Sequence, residues 1–238
     1  TDASIYQITP VGVFIPRDQD DVKTALDICR DLKVPIVARG AGTSQCGQTV
    51  GAALVIDHSK YMRRILNVDS ENKIVTVEPG LVLDHLNAAL KPHGLWYPVD
   101  VSTSAQATLG GMAGNNSCGS RSIAYGNMVH NVEGVQAWLS DGELVNFGRF
   151  DKTATSKRTT KIGNYLESLA QGLEPEINQH WPKVLRRVAG YNLDIFNNQN
   201  ERPYTTDGSI NLAHILIGSE GTLALTRSLD LRLTELPR

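Results

Sequence analysis

Cysteine is scarce and scattered in this chain. Cys29, Cys46 and Cys118 are three thiols among 238 residues, and no two stand in a C-x-x-C pair. An odd, unpaired set excludes a disulfide framework and a structural zinc site, and it fits a reducing, cytoplasmic compartment. An iron–sulfur cluster, which ordinarily takes four thiolates, is beyond this segment alone. Long apolar runs are missing as well. No stretch nears the about 18 residues that would suggest a membrane span, and no basic-then-apolar leader opens the chain, so a soluble domain is expected. Nor does charge of one sign dominate: 23 Lys plus Arg stand against 25 Asp plus Glu, for a formal charge of -2. That balance leaves no footprint for nucleic acid or an anionic membrane. The histidines, His58, His85, His93, His130, His180 and His214, fall in no H-x-x-x-H pair, so no metal site is expected.

What the chain has is glycine, 21 residues of it, concentrated in loops. Pro35-Ile36-Val37-Ala38-Arg39-Gly40-Ala41-Gly42-Thr43-Ser44-Gln45-Cys46-Gly47 is an apolar run that stops at an arginine and opens into glycines and hydroxyls. Such a loop exposes consecutive backbone N–H groups, a nest of donors for phosphate oxygens; it is also what a plain turn between strands would look like. No lysine follows Gly42 to complete a Walker loop. Gln45 sits where a dinucleotide-binding turn needs its third glycine, and Gly51 to Asp57 reads as a strand where that turn needs a helix. The phosphates would therefore rest on loop amides. A second glycine-rich segment, Ser102 to Ser120 followed by Ala124-Tyr125-Gly126, offers a partner loop for the other end of an extended cofactor.

With these pieces together the chain resembles the flavin-binding domain of the FAD-linked oxidases, of the vanillyl-alcohol oxidase or p-cresol methylhydroxylase (PCMH) type. The matching segments are Pro35 to Gly47, Val77-Glu78-Pro79-Gly80, Thr108-Leu109-Gly110-Gly111, Tyr125-Gly126, Arg186 to Leu193, and Leu216 to Leu223 with its Gly218-Ser219-Glu220-Gly221-Thr222 core. Thr1 to Tyr6 and the Gly218 to Thr222 piece look most like the D-lactate, glycolate and D-2-hydroxyglutarate dehydrogenases. The resemblance implies a two-lobed α+β (α/β) FAD-binding domain in an oxidoreductase that passes hydride from C2 of a 2-hydroxy acid to FAD. D-Lactate is the first substrate expected. Electrons would then pass to a quinone, cytochrome or iron–sulfur partner, with the full-length protein in the cytoplasm or peripheral to the inner membrane. An oxidase of another alcohol or sugar, or a non-catalytic flavin module, is the alternative.

Residue by residue, the pyrophosphate falls to the amides of Gly40, Ala41, Gly42, Thr43 and Ser44, with Gln45 and Gly47 completing the loop. Arg39 either lends its charge or pairs with a surface carboxylate. The resemblance places Ser104, Thr108, Gly110, Gly111, Ala113, Gly114 and Asn115 along the ribityl chain and pyrophosphate, and Ala124, Tyr125 and Gly126 near the flavin. Gly134 and Val135 match a strand edge that meets the cofactor, or are ordinary strand packing. Glu220 either acts on the cofactor or locks its loop by accepting backbone N–H bonds. Some relatives tether flavin through a histidine in the first loop; none stands here, so FAD is expected to be non-covalent. For the substrate carboxylate the candidates are Arg186 and Tyr191, with Arg187 as the alternative; a solvated helix end would explain both arginines. The general base and any metal are expected in a C-terminal cap domain outside this segment.

Along the chain, Val11 to Ile15 predicts a strand. Asp18 predicts an N-cap for a helix with Val22, Ala25, Leu26, Cys29 and Leu32 on one face. Strands at Pro35 to Ala38 and Ala53 to Asp57 complete a small α/β lobe over residues 1–66. The larger lobe, 67–238, is expected to be mostly antiparallel. It has a strand at Lys73 to Glu78, a helix bearing Leu83, Leu86 and Leu90, and a long loop from Lys91 to Gly126. A hairpin follows across Asp141-Gly142, then helical pieces near Asn164 to Ala170 and Trp181 to Val188, and strands at Leu212 to Ile217 and Leu223 to Leu233.

Overall fold

The computed structural model describes residues 1–153, 155–188, 190–197 and 202–237. The chain opens with strand β1 (Gly12–Phe14) and helix α1 (Gln19–Leu32). The Asp18 carboxylate caps α1 by accepting the N–H groups of Asp20 and Asp21. Lys33 turns left-handed at φ 55° to end it. The apolar stripe Val22, Ala25 and Cys29 is buried against β2 (Ile36–Arg39) and β3 (Leu54–Asp57), where Ile56 is fully enclosed. These strands form a parallel sheet in the order β1-β3-β2.

The chain then changes sheets. Strands β4 (Ile65–Asp69) and β5 (Ile74–Val77) form an antiparallel pair, and helix α2 (Leu83–Leu90) buries Leu83, Leu86 and Leu90. The stretch expected as one loop carries a two-residue strand, β6 (Leu95–Trp96), and two short helices, α3 (Leu109–Asn115) and α4 (Ser122–Tyr125). The hairpin is β7 (Val132–Trp138) and β8 (Leu144–Phe147), and it is followed by α5 (Lys157–Gly172) and α6 (Glu174–His180). Trp181 to Val188 is not helical. Pro182 has no N–H to give and disfavours helical geometry in the residue before it, and Trp181 is accordingly extended at ψ 129°. Leu212 to Ile217 is not a strand; it contains the helical turn α7 (Ala213–Leu216), buried on every side. Continuous apolar runs of this length do not separate strand from buried helix by periodicity. Strand β9 (Leu225–Arg232) and a short β10 (Thr234–Glu235), which pairs with β6, complete the fold.

The larger sheet runs β4-β5-β9-β7-β8, every neighbour antiparallel, so β9 lies between strands that precede it by many residues. Its inward residues Leu229 and Leu231 are wholly buried with Val75, Leu86, Leu109 and Met128. At its start Leu225 packs with Val22, Ala25 and Ile56, so one strand contributes to both cores.

A buried polar layer lies under this core. His214 Nε2 donates to the Val132 carbonyl at 3.1 Å, and His130 Nδ1 accepts the Asn127 N–H at 3.0 Å. Burial holds both imidazoles down at about 4. The unfolded chain, with histidines near about 6.5, binds more protons than the folded one between those values, so stability falls as pH drops through that window. For His214 the loss approaches about 3 kcal/mol at pH 4. Thermal unfolding at pH 7 and pH 5 should show a lower midpoint at pH 5, and His214→Gln should flatten that slope. Leu229→Ala should cost about 2–5 kcal/mol in denaturant unfolding, against less than about 0.5 kcal/mol for the exposed Leu32→Ala.

Candidate functional site

A cleft of about 380 Å³ lies between the two sheets. One wall is the loop from Gly40 to Thr49 that joins β2 to β3, at the C-terminal edge of the parallel sheet where α/β folds place ligands. Among the described residues, the N–H groups of Gly40, Ala41, Gly42, Thr43 and Ser44 donate to no protein acceptor. Five successive donors, half-buried at the edge of a cleft, suit a diphosphate's oxygens.

The loop is held from behind by the first residues of the chain. Ala3 donates its N–H to the Gly42 carbonyl at 2.9 Å. Asp2 accepts the Ser4 N–H and hydroxyl on one oxygen and the Thr49 hydroxyl on the other. Those bonds, the Ser4 hydroxyl first, hold the Asp2 carboxyl down at about 2, and the Arg39 charge adds to them. Gly42 sits at φ +69°, and a Cβ there would lie 2.4 Å from Arg39 Nη2. Arg39 thus folds over the loop and lines the cleft, with no carboxylate within ion-pair distance among the described residues.

The opposite wall is α3. Three glycines in seven residues are poor helix formers, and the helix stands because its neighbours hold both ends. Leu109 and Gly110 donate to the Leu81 and Pro79 carbonyls, and Gly218 and Glu220 donate to the Ala113 and Gly114 carbonyls. Thr108 caps it through Gly111. The approaches are close: a Cβ on Gly110 would lie 2.6 Å from Pro79 Cβ, and one on Gly40 would lie 2.0 Å from Thr108 Oγ1. The two glycine segments therefore meet at Gly40 and Thr108.

Glu220 closes one side. It is left-handed at φ +53°, and its backbone, not its carboxylate, locks the loop onto α3. The carboxylate turns to Gln48, which donates to it at 3.4 Å while accepting the Ser44 hydroxyl. Burial pushes the Glu220 carboxyl up, and the Gln48 bond opposes that.

Of the residues expected from sequence, Arg39, Gly40, Ala41, Gly42, Thr43, Ser44, Gln45, Thr108, Gly110, Gly111, Ala113, Gly114, Asn115, Val135 and Glu220 all line this cleft. The others stand outside its lining. Gly47 packs under the Tyr6 ring, and Ser104 closes a turn with Val101. Ala124 presents its carbonyl to Arg202, Tyr125 stacks edge-on against Trp96 at 5.4 Å, and Gly126 abuts the His130 ring. Gly134 faces Asp230 across the sheet. Arg186 is exposed, with one contact at 3.5 Å to Ser122 Oγ, and Tyr191 bonds the Thr222 hydroxyl at 2.8 Å. Arg187 is taken up by Asp194, its Nη2 donating to both carboxylate oxygens at 2.8 Å. Sequence reasoning missed His58, Gln48, Thr49 and Thr226, which also line the cleft. His58 had a signal, since it is the first residue past the C-terminal end of the central parallel strand.

Residues 10–148 match a known family, described as the FAD binding domain. The chain belongs to that family. FAD is accordingly the cofactor of this FAD-binding domain, and the unpaired loop amides and the Gly40–Thr108 approach fit its diphosphate. The domain is 34% identical, over its full length, to D-2-hydroxyglutarate dehydrogenase of Escherichia coli strain K12, of which it spans 24%. It is 37% identical over 60% of its length to the glycolate oxidase subunit GlcD of Bacillus subtilis, spanning 31% of that chain. It is also 28% identical over 99% of its length to a probable mitochondrial D-lactate dehydrogenase of Danio rerio, spanning 38% of it. Among solved structures, an alkyldihydroxyacetonephosphate synthase superposes over 95% of this domain and 32% of its own chain with a TM-score of 0.62 at 19% identity, a likeness of fold. No helix among the described residues is long and apolar enough to cross a membrane.

Gly40→Ala should force the first loop and α3 apart at Thr108. FAD titration followed by flavin fluorescence should show affinity reduced roughly tenfold or more, with Gly172→Ala, which meets no neighbour, as the substitution control for added side-chain bulk.

Proposed function

We propose that this chain is the FAD-holding part of a dehydrogenase that oxidises a D-2-hydroxy acid at C2, with FAD held non-covalently. The chain spans about a quarter of the length of the D-2-hydroxyglutarate dehydrogenases that it resembles from end to end. That full-length likeness puts D-2-hydroxyglutarate ahead of D-lactate in the reading, since the D-lactate dehydrogenase likeness is weaker, at 28% identity. The observation that carries the proposal is the row of unpaired amides from Gly40 to Ser44, facing a glycine-rich helix across a cleft.

In this reading the amides hold the diphosphate and the Arg39 guanidinium neutralises part of its charge. The cofactor lies along α3, where Gly110, Gly111, Ala113 and Gly114 line the cleft. Bound there, FAD supplies a two-electron acceptor for the C2 hydride of a hydroxy acid. Arg186 and Tyr191 stay the carboxylate candidates. Arg186 is the better arginine because, among the described residues, its guanidinium has only the long Ser122 contact, whereas Arg187 is committed to Asp194. Val135 meets the cofactor along the cleft floor.

Two measurements test this. The purified protein should show flavin absorption that follows into the supernatant after acid precipitation; flavin left in the pellet would refute non-covalent binding. In the full-length protein, D-2-hydroxyglutarate should bleach the flavin band near about 450 nm. Arg186→Ala should raise KM for the acid roughly tenfold or more with a smaller effect on kcat. An unchanged KM would remove Arg186 from the site.

A further inference from the structure

We propose that His58 is a further FAD-contacting residue, its imidazole facing the diphosphate, and that FAD binding is coupled to the uptake of a proton at His58. The proposal rests on the reading that the diphosphate lies on the amides of Gly40 to Ser44.

His58 is 5% exposed and lines the cleft. It is tied to the base of the phosphate loop, for its backbone N–H donates to the Arg39 carbonyl at 3.0 Å. Its own carbonyl accepts the Met62 N–H and lies so close to Gly80 that a Cβ there would sit 2.1 Å from it. The residue is therefore fixed in place by backbone on two sides. Its side chain is not satisfied: Nε2 is buried and has no partner among the described residues. His214 is as deeply enclosed, and there Nε2 meets the Val132 carbonyl. Buried polar atoms are generally hydrogen-bonded, and an orphan at the edge of a ligand cleft points to a partner that the ligand supplies.

The charges around His58 set the direction of the proton. Burial pushes the imidazole down; the carbonyls of Arg39 and Ile56 and the carboxylates of Asp57 and Glu78 push it back up. The Glu78 carboxylate is itself occupied by Arg64, which donates its N–H, Nε and Nη2. Arg39, at the end of β2, and Glu220 line the same cleft. With burial as the largest effect, the ring is neutral at pH 7 before FAD binds. A diphosphate brings two negative charges to the cleft, and an opposite charge within about 4–6 Å favours the imidazolium. The proton comes from the buffer to a ring nitrogen, and no covalent bond breaks.

The test is calorimetric titration of the full-length protein, stripped of flavin, with FAD at pH 7 in PIPES and in Tris, whose ionisation heats differ. The dependence of the observed heat on the buffer counts the protons taken up. The native protein should take up between a fraction of a proton and one, and His58→Gln and His58→Leu should take up none. Both variants should bind FAD roughly tenfold more weakly at pH 6, with the gap to native closing by pH 8.5. Melting curves on both variants report whether the fold survives, and Gln, which restores a polar end, guards against a packing defect in Leu. Zero uptake by the native protein overturns the proposal. So does uptake that persists in both His58 variants and vanishes in Glu220→Gln, which would place the proton on that carboxylate. A native protein that binds no FAD at all would overturn the diphosphate reading beneath it.

Discussion

Everything in the site depends on how closely backbone can approach backbone along α3. Gly110 lies against Pro79 and Gly40 lies against Thr108, at separations that leave no room for a methyl group. The helix they define has little propensity of its own and is kept by hydrogen bonds to the segments at Pro79–Leu81 and Gly218–Glu220. The 218–222 loop is strained to make those bonds, with Glu220 in a left-handed conformation that a non-glycine residue seldom adopts. Strain in that loop is thus offset by order in the helix, and the helix in turn fixes one wall of the cleft.

The other wall has a different support. The Gly40 to Ser44 amides bond nothing within the described protein, so the loop cannot be shaped by its own N–H groups. Its shape comes instead from the carbonyl side and from side chains: Ala3 on the Gly42 carbonyl, Asp2 on Thr49, Tyr6 on Gly47, and Gln48 between Ser44 and Glu220. Holding the loop by its acceptors leaves the N–H groups of Gly40 to Ser44 without a protein partner among the described residues. This arrangement is preorganisation in a literal sense, because the ordering cost is met before the cofactor arrives.

Most of the fold was legible from pattern. The Asp18 cap, the stripe along α1, the β7–β8 hairpin, the small α/β lobe and the antiparallel character of the larger one follow from signals that local sequence carries. Several elements did not follow, and three of them show why. Strand β4 has a register shift between Ile65 and Asn67, and its burial does not alternate, so it shows no period of two. The glycines of α3 argue against a helix, and only contacts from distant segments make one. The turn at α7 is buried all round and gives no amphipathic signal. In the site, the two glycine segments were legible because bare backbone is itself a chemical signal. Tyr125, Gly126 and Arg186 lie next to it in sequence pattern but outside the cleft, and motif proximity does not measure distance in space. His58 escaped notice because a single histidine carries no spacing to read.

The position of β9 has a consequence for how the protein is made. Residues 225–232 fill the middle of the larger sheet and also lend Leu225 to the core of the smaller one. During synthesis β5 and β7 therefore wait, unpaired on the sides that β9 will occupy, until residues 225–232 have left the ribosome. At about 5–20 residues per second the stretch between β7 and β9 keeps the principal sheet incomplete for several seconds or more. Leu225 and Leu229 are also part of the cleft lining. The cleft is therefore complete only once translation has passed residue 229, so the flavin pocket closes with the strand that joins the two cores.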